Sequence, residues 1–316
     1  MRSRELQRML AQASKLTPAQ RQELVRALSH TDEVTQVVQT LQARTLSCPH
    51  CHDERVVRNG HASGLQRYKC RGCAKTFNSL TATPLARLRH KDKWEHQADV
   101  LRQGLSVHRA AQALAVAPST AFRWRHRFLQ LPQSLKAATL QGVVEADETY
   151  FLRSSKGQRV QARKARRRGG SAAKRGLSEE QEPVLVVRDR SGATADFILE
   201  RADKAHTAAT LAPVLAQDAV LCTDGGGALA AAARQLGVEH HALNVSKGSR
   251  VQGAWHIQNV NAYHGRLKGW MSRFRGVASS YLASYLGWFR ALDRSAQNAR
   301  RPAPFLALAV GACALH

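Results

Sequence analysis

Apolar positions change their spacing repeatedly along the chain, and each change predicts a different kind of element. Up to residue 45 the tone is helical. Thr17-Pro18-Ala19-Gln20 reads as a helix start, with Leu24, Val25 and Leu28 following on one side, as in a small helical hairpin or arm. Between 46 and 82 the pattern shortens to alternation, and residues 55–60 and 66–69 read as two strands joined by a glycine turn. Helical spacing returns over 90–131. Trp94, Ala98 and Leu101 mark a first helix and Gly104-Leu105-Ser106 a break. Ser106 caps a second helix through Ala110, Ala111 and Leu114. Val116-Ala117-Pro118-Ser119 is a tight turn, and Ser119 caps a last helix over 120–129 with Phe122 and Phe128 inward. Beyond 141 come apolar runs at 143–146, 184–188, 195–199 and 219–222, with a weaker one at 238–243. Helical stretches at 205–216 and 228–236 separate the later runs, and a long helix follows. The order predicts a mixed sheet with helices on its faces.

These shifts divide the chain into a helical segment (1–45), a small metal-dependent module (46–82), a three-helix module (83–140), an α/β domain (141–290) and a tail (291–316). The fold class expected is therefore multidomain α+β. Residues 153–176 interrupt the α/β domain with ten Lys or Arg, four Gly and no acidic residue, which is a loop or arm and not an element. Such a segment, with Arg166, Arg167 and Arg168 at its centre, is either a clamp on DNA beside the neighbouring strand or a solvated insertion with non-specific affinity.

Charge sharpens the picture. Lys and Arg total 48 against 23 Asp and Glu, a net +25, which points to nucleic acid. A ribosomal protein would share the charge but would rarely carry 43% hydrophobic residues over this length. There is no apolar run long enough for a spanning helix and no signal-peptide core near Met1, so the chain is expected in the cytoplasm, without a membrane partner. Cysteines in that compartment rarely form disulfides. Cys48-x₂-Cys51 and Cys70-x₂-Cys73 instead have the spacing of a zinc ribbon, four thiolates closing one Zn²⁺ site. His50 and His52 are bystanders to a site already full. The three-helix module has the layout of a helix-turn-helix. Its last helix would turn Arg123, Arg125, His126 and Arg127 outward toward double-stranded DNA. An ordinary bundle with a solvated basic face is the alternative.

The chemistry gathers in three segments. Val143–Tyr150 and Val220–Gly226 read as strands, each delivering an aspartate, Asp147 and Asp224, at its exposed end. The long helix carries Asn261 and Lys268 two turns apart on one face. Two carboxylates and a third oxygen ligand suit a pair of Mg²⁺ or Mn²⁺ ions acting on a phosphodiester, with Lys268 on a phosphate. Glu145 and Glu148 flank Asp147 as supporting or solvated groups. His264 lies one turn after Asn261 and could face the site, but it also lies on the apolar seam of its helix and reads as packed or capped; Trp255, Tyr263, Trp270 and Trp288 read as core. Cys222, in a buried strand, and Cys313, in an apolar tail, are not nucleophiles.

Taken together these motifs resemble the bacterial insertion-sequence transposases of the fifteen-ninety-five family, whose catalytic part is called ISXO-two-like. The residues carrying the likeness are the four cysteines with Lys75-Thr76-Phe77-Asn78, Asp147-Glu148-Thr149-Tyr150, Thr223-Asp224-Gly225, 256–264, Arg266-Leu267-Lys268, and 281–288. The resemblance implies an RNase H-like catalytic domain of the DDE type. Asp147, Asp224 and Asn261 would be metal ligands, with Asn261 where the wider superfamily usually has Glu. It also implies binding of terminal inverted repeats, cleavage and joining to target DNA, and at least a homodimer on DNA. A DNA-binding relic or repressor without catalysis is the alternative.

Overall fold

The structure, a computed structural model, describes residues 3–25, 37, 40, 47–158, 172–173, 178–243, 251–295, 307 and 309. Most of the basic insertion, including Arg166, Arg167 and Arg168, and Cys313 lie outside the described residues. Two compact units emerge, residues 1–131 with 299–316, and residues 132–298.

The first unit begins with α1 (Ser3–Ala13) and a second helix, α2, over 18–25. Thr17 and Gln20 form a capping box at its start. The Thr17 hydroxyl accepts from the Gln20 N–H at 3.3 Å, and the Gln20 amide oxygen accepts from the Thr17 N–H at 3.0 Å. A three-stranded antiparallel sheet follows, β1 (Val56–Ala62), β2 (Leu65–Cys70) and β3 (Thr76–Asn78). Sequence spacing anticipated the first two strands and missed the third. Few residues are fully buried here, and the small core of Cys48, Cys70 and Phe77 is built around the cysteines themselves.

Three helices follow: α3 (Trp94–Arg102), α4 (Val107–Leu114) and α5 (Pro118–Ser134), whose last three residues belong to the second unit. Val100, Ala110, Ala111, Leu114, Ala121 and Trp124 form their core. Ser106 caps α4 by accepting from the Arg109 N–H. Ser119 does not cap α5 as expected, because Pro118 is already helical. Its fixed φ suits a first helical position, and Ala117 supplies the carbonyl that receives the first N–H groups.

In the second unit β4 (Val143–Leu152), β5 (Gln181–Asp189), β6 (Thr194–Ile198), β7 (Val220–Thr223) and β8 (Glu239–Ala242) form one mixed sheet, ordered β6-β5-β4-β7-β8. This is the mixed sheet that the apolar runs predicted. β4, β5 and β6 run antiparallel, while β7 and β8 run parallel to β4. Alternation along β4 sorts its two faces. Val144 and Ala146 enter a core with Leu185, Val187 and Ala195 of the sheet, Ala208 and Leu211 of α6 (Lys204–Leu211), and Leu229, Ala232 and Ala233 of α7 (Gly227–Leu236). Glu145 and Asp147 point to the other face, which α8 (Gln258–Ser272) covers. α9 (Leu282–Ser295) packs on α8 through Tyr263, Trp270, Phe274, Tyr285, Trp288 and Phe289. Arg290 ties α9 to the sheet. It pairs with the Asp196 carboxylate on β6 and donates to the carbonyls of Pro132, Gln133 and Leu135. Against expectation, Trp255 is only half-buried, stacked on His241 with ring centres 4.2 Å apart.

Candidate active site and metal centre

The four cysteines are brought together. Cys48 and Cys51 precede β1, Cys70 ends β2 and Cys73 lies in the turn before β3, with all four sulfurs within 4.8 Å of one another. The Cys48–Cys73 and Cys51–Cys70 separations are 3.6 and 3.5 Å. A tetrahedral Zn²⁺ at about 2.3 Å from each sulfur requires edges near ~3.8 Å, so the set fits such an ion. Backbone N–H groups already point at the ligands, from His50 to Cys48 and from Cys73 to Cys70, each at 3.4 Å. The crowded thiols cannot all ionise alone. Burial raises the Cys48 thiol, but hydrogen bonds from His50 and Cys51 outweigh it and draw the group down to about 7. At Cys51 the hydrogen bond from Asp53 lowers the thiol, but Cys73, burial and the other sulfurs outweigh it and push the group up to about 12. A dication answers that conflict, since it stabilises four thiolates at once.

The acidic site sits on the second unit's sheet. Asp147 was expected at the exposed end of its strand but stands midway along β4, because the ladder with β5 carries β4 on to Leu152. Its accessibility comes from the other neighbour. β7 stops at Thr223, so among the described residues the outer half of β4 has no strand partner on that side. In the parallel register Val143 lies opposite Val220 and Glu145 opposite Cys222; Asp147 stands two residues on along β4, and Asp224 two residues on from Cys222, just past the end of β7. Adjacent strands lie about 4.8 Å apart, so the two carboxylates rise from neighbouring positions. Asp224 is exposed, and its Oδ1 accepts from the Gly226 N–H at 2.8 Å. The turn holding it is braced by a chain from β8, in which His240 Nε2 meets the Thr223 hydroxyl at 2.8 Å and that oxygen accepts from the Gly225 N–H at 3.1 Å. Gly225 has φ +84°, a conformation open to glycine at little cost. Glu148 marks how dense the negative charge is. Burial first, then the charges of Asp147 and Asp224, raise its carboxyl to about 7.

α8 brings the remaining residues. His264 is buried, and its Nδ1 lies 3.4 Å from Asp147 Oδ2. The ring is packed against the core, as expected, and it also meets the aspartate. Asn261 is one turn before His264 and Lys268 one turn after, so all three share an arc of about 60° on the helix. Asn261 and Lys268 are exposed. Gly265 and Gly269 lie near that arc, and a Cβ added to either would meet nothing within 4 Å.

The expected DNA-reading arginines are only partly available. Arg123 is exposed. Arg125 is 1% exposed and donates to the Leu105 carbonyl at 2.6 Å, so it braces the break between α3 and α4 and does not face outward. Arg127 is half-buried and donates to the carbonyls of Pro84 and Ala86. The reason is a shortage of capping groups: carbonyls in irregular segments next to the helices need donors, and long arginine side chains reach them. His126 is likewise drawn in, and burial followed by the charge of Arg125 lowers it to about 4.

Among known proteins, residues 139–290 match the family model described as the ISXO2-like transposase domain. A protein from Halobacterium salinarum, described as an uncharacterized protein in transposable element ISH50, is 28% identical over 256 residues, which span 77% of this chain and 83% of that protein. Two solved structures are also similar at 12% identity. One is a pre-cleavage Mos1 transpososome, covering 69% of this chain and 78% of that one with a TM-score of 0.21. The other is a Mos1 transposase paired-end complex with left transposon end, covering 68% and 78% with a TM-score of 0.22. No helix among the described residues is long and apolar enough to cross a membrane.

Proposed function

We propose that this chain, whose residues 139–290 belong to the ISXO2-like transposase domain family, is a DNA transposase that cuts at the ends of its own element and joins them to target DNA. The observation carrying the reading is the site itself: Asp147 on β4 and Asp224 just past the end of its parallel neighbour β7, beneath a helix that brings His264 onto Asp147 and carries Asn261 and Lys268 on the same face. The donor set is all oxygen and suits hard divalent ions such as Mg²⁺ or Mn²⁺. When bound, a pair of such ions activates the attacking oxygen and stabilises the leaving one.

The chain's own residues have the following roles. Asp147, from the middle of β4, Asp224 and the Asn261 carbonyl would hold the ions. His264 fixes the rotation of the Asp147 carboxylate. Lys268 holds a phosphate beside the scissile bond as a point charge. Gly265 and Gly269 leave the same side of α8 bare, so a phosphate backbone can approach closely. In cleavage, water attacks phosphorus and the bond to the 3′-oxygen breaks. In joining, that 3′-hydroxyl attacks a target phosphodiester and displaces its 3′-oxygen.

The four-thiolate module holds Zn²⁺, and with α3–α5, acting as a helix-turn-helix, it binds the terminal inverted repeats. Arg123 and the basic segment containing Arg166–Arg168 supply contacts to DNA. Pairing two ends requires at least two copies of the chain. A DNA-binding relic without catalysis is the second reading, favoured by Asn261, because a neutral amide is a weaker ligand than a carboxylate.

The test is a labelled duplex carrying the element's end, with Mg²⁺ or Mn²⁺. The intact chain should nick and join it. Asp147→Ala and Asp224→Ala should abolish both while end binding stays nearly intact. Asn261→Glu should retain or raise activity. Cleavage surviving in Asp147→Ala, or in chelator, refutes the assignment.

A further inference from the structure

We propose that Glu145 is a positioning residue that sets the register of α8 along β4, and so determines where Asn261 stands relative to Asp147. This rests on the reading of those two residues as metal ligands.

Glu145 is fully buried, and three donors meet it. Its Oε2 accepts from the Val260 N–H at 2.9 Å, and its Oε1 accepts from Asn259 Nδ2 at 2.9 Å. Arg190, in the turn between β5 and β6, places Nη1 2.9 Å from Oε1, and His256 Nδ1 lies 3.3 Å from the same oxygen. Arg190 also donates to the Ala254 carbonyl at 3.0 Å, holding the approach to α8. A buried carboxylate costs several kcal/mol unless it is paired and hydrogen-bonded, so a site this complete has a definite structural use.

That use is visible in what α8 lacks. The residue at its N-cap position, Ile257, offers no side-chain acceptor to the first turn. For α4 and α6 the N-cap residues Ser106 and Asp203 supply that acceptor. α8 takes it from the strand that carries Asp147, two residues away. The spacing then matches at a second point. Residues two apart on a strand are separated by about 6.6 Å, and residues four apart on a helix by about 6 Å. Glu145 meets Val260, and Asp147 meets His264 four residues on. The helix is therefore clamped to β4 at two matched contacts, with Asn261 between them. A slip of one residue would move Asn261 about 1.5 Å along the axis and turn it by about 100°, out of reach of the ions that Asp147 holds.

The experiment uses the full-length, zinc-loaded chain and Mn²⁺ alone as the probe, followed by the electron paramagnetic resonance of free Mn²⁺, together with amide hydrogen exchange over 258–264 without added Mn²⁺. Glu145→Ala should speed exchange at 259–261 at least tenfold and weaken Mn²⁺ binding at least tenfold. Glu145→Gln should recover part of both, because its amide oxygen still accepts from Val260. A group needed only for folding would lower the melting point without this graded rescue. Faster exchange with unchanged Mn²⁺ affinity overturns the proposal, and so does unchanged exchange in Glu145→Ala. If the alanine variant does not fold, Glu145→Gln decides: it should weaken Mn²⁺ binding severalfold, and wild-type exchange and affinity overturn the proposal. Asp147→Ala separates the two ideas. Mn²⁺ sites that survive it overturn the metal reading and this proposal together. Sites lost there but intact in Glu145→Ala overturn this proposal alone.

Discussion

Arg125 and Arg123 stand two residues apart on one helix, and the structure assigns them opposite consequences. Arg125 is 1% exposed and its guanidinium donates to the Leu105 carbonyl at 2.6 Å. Truncation to alanine removes two buried methylenes, worth about 1.6 kcal/mol at ~0.8 kcal/mol each. It also removes a charged hydrogen bond worth about 1.5–3 kcal/mol and leaves the Leu105 carbonyl with one donor fewer. Relief from burying a charge offsets part of this, so Arg125→Ala should destabilise the first unit by about 2–4 kcal/mol. Arg125→Met keeps the stem and should cost about half as much. Arg123 is exposed, so Arg123→Ala should change stability by less than about 0.5 kcal/mol. The assay pairs urea unfolding with DNA binding measured well below each variant's transition. Arg125→Ala should melt early yet bind element ends normally once folded. Arg123→Ala should melt normally and bind ends more weakly, by about 1–3 kcal/mol if it reads a base. An Arg125→Ala chain that is fully stable but no longer tells ends from random duplex would refute the buried assignment.

Stripping the metal, or Cys70→Ser, should release one Zn²⁺ per chain, unfold residues 48–78 and weaken end binding, while the second unit's melting stays unchanged; a metal analysis finding no zinc refutes this. Acid should weaken the first unit through His126, whose group falls from 6.5 to about 4 because of burial and then Arg125. The unfolded chain binds the extra proton first, so stability drops as pH falls from about 6.5 toward 4, by about 1–2 kcal/mol after discounting the ring's partial exposure. His126→Gln should flatten that slope in pH-dependent melts. Gly287→Ala should destabilise the second unit by roughly 3 kcal/mol in urea melts, since its Cβ would come within 2.5 Å of Gln133 Cα and 2.7 Å of the Pro132 carbonyl oxygen.

The elements that were legible in the sequence are those whose signal is local. The strands of the second unit follow from apolar runs, the helix start at Thr17 from the proline after it, and the Ser106 cap from a polar residue before an apolar stripe. The cysteine pairs were legible for the same reason, since each x₂ knuckle is a local turn. β3 was missed because three residues carry too little periodicity. The outward arginines were misread because a helical wheel sees only its own helix. Nothing within α5 reveals that the carbonyl of Leu105 lacks a donor, or that those of Pro84 and Ala86 do.

The candidate site divides along the same line. Asp147, Asp224, Asn261 and Lys268 stand out because each sits in a local motif of recognisable chemistry. The groups that hold them in place do not. Glu145 meets Val260 across 115 positions, and Asp147 meets His264 across a similar gap. Their alternation with Val144 and Ala146 puts Glu145 and Asp147 on one face of β4, and that much was readable. Which helix would cover the face, and in what register, was not, because an apolar seam fits a sheet at several offsets of similar energy. Hydrophobic packing holds α8 against the sheet but leaves its position along the strand loosely determined. A hydrogen bond does not tolerate a shift of one residue, and the buried carboxylate supplies that selectivity. A single misplaced partner at Glu145 would expose α8 to the register errors that its apolar residues cannot correct.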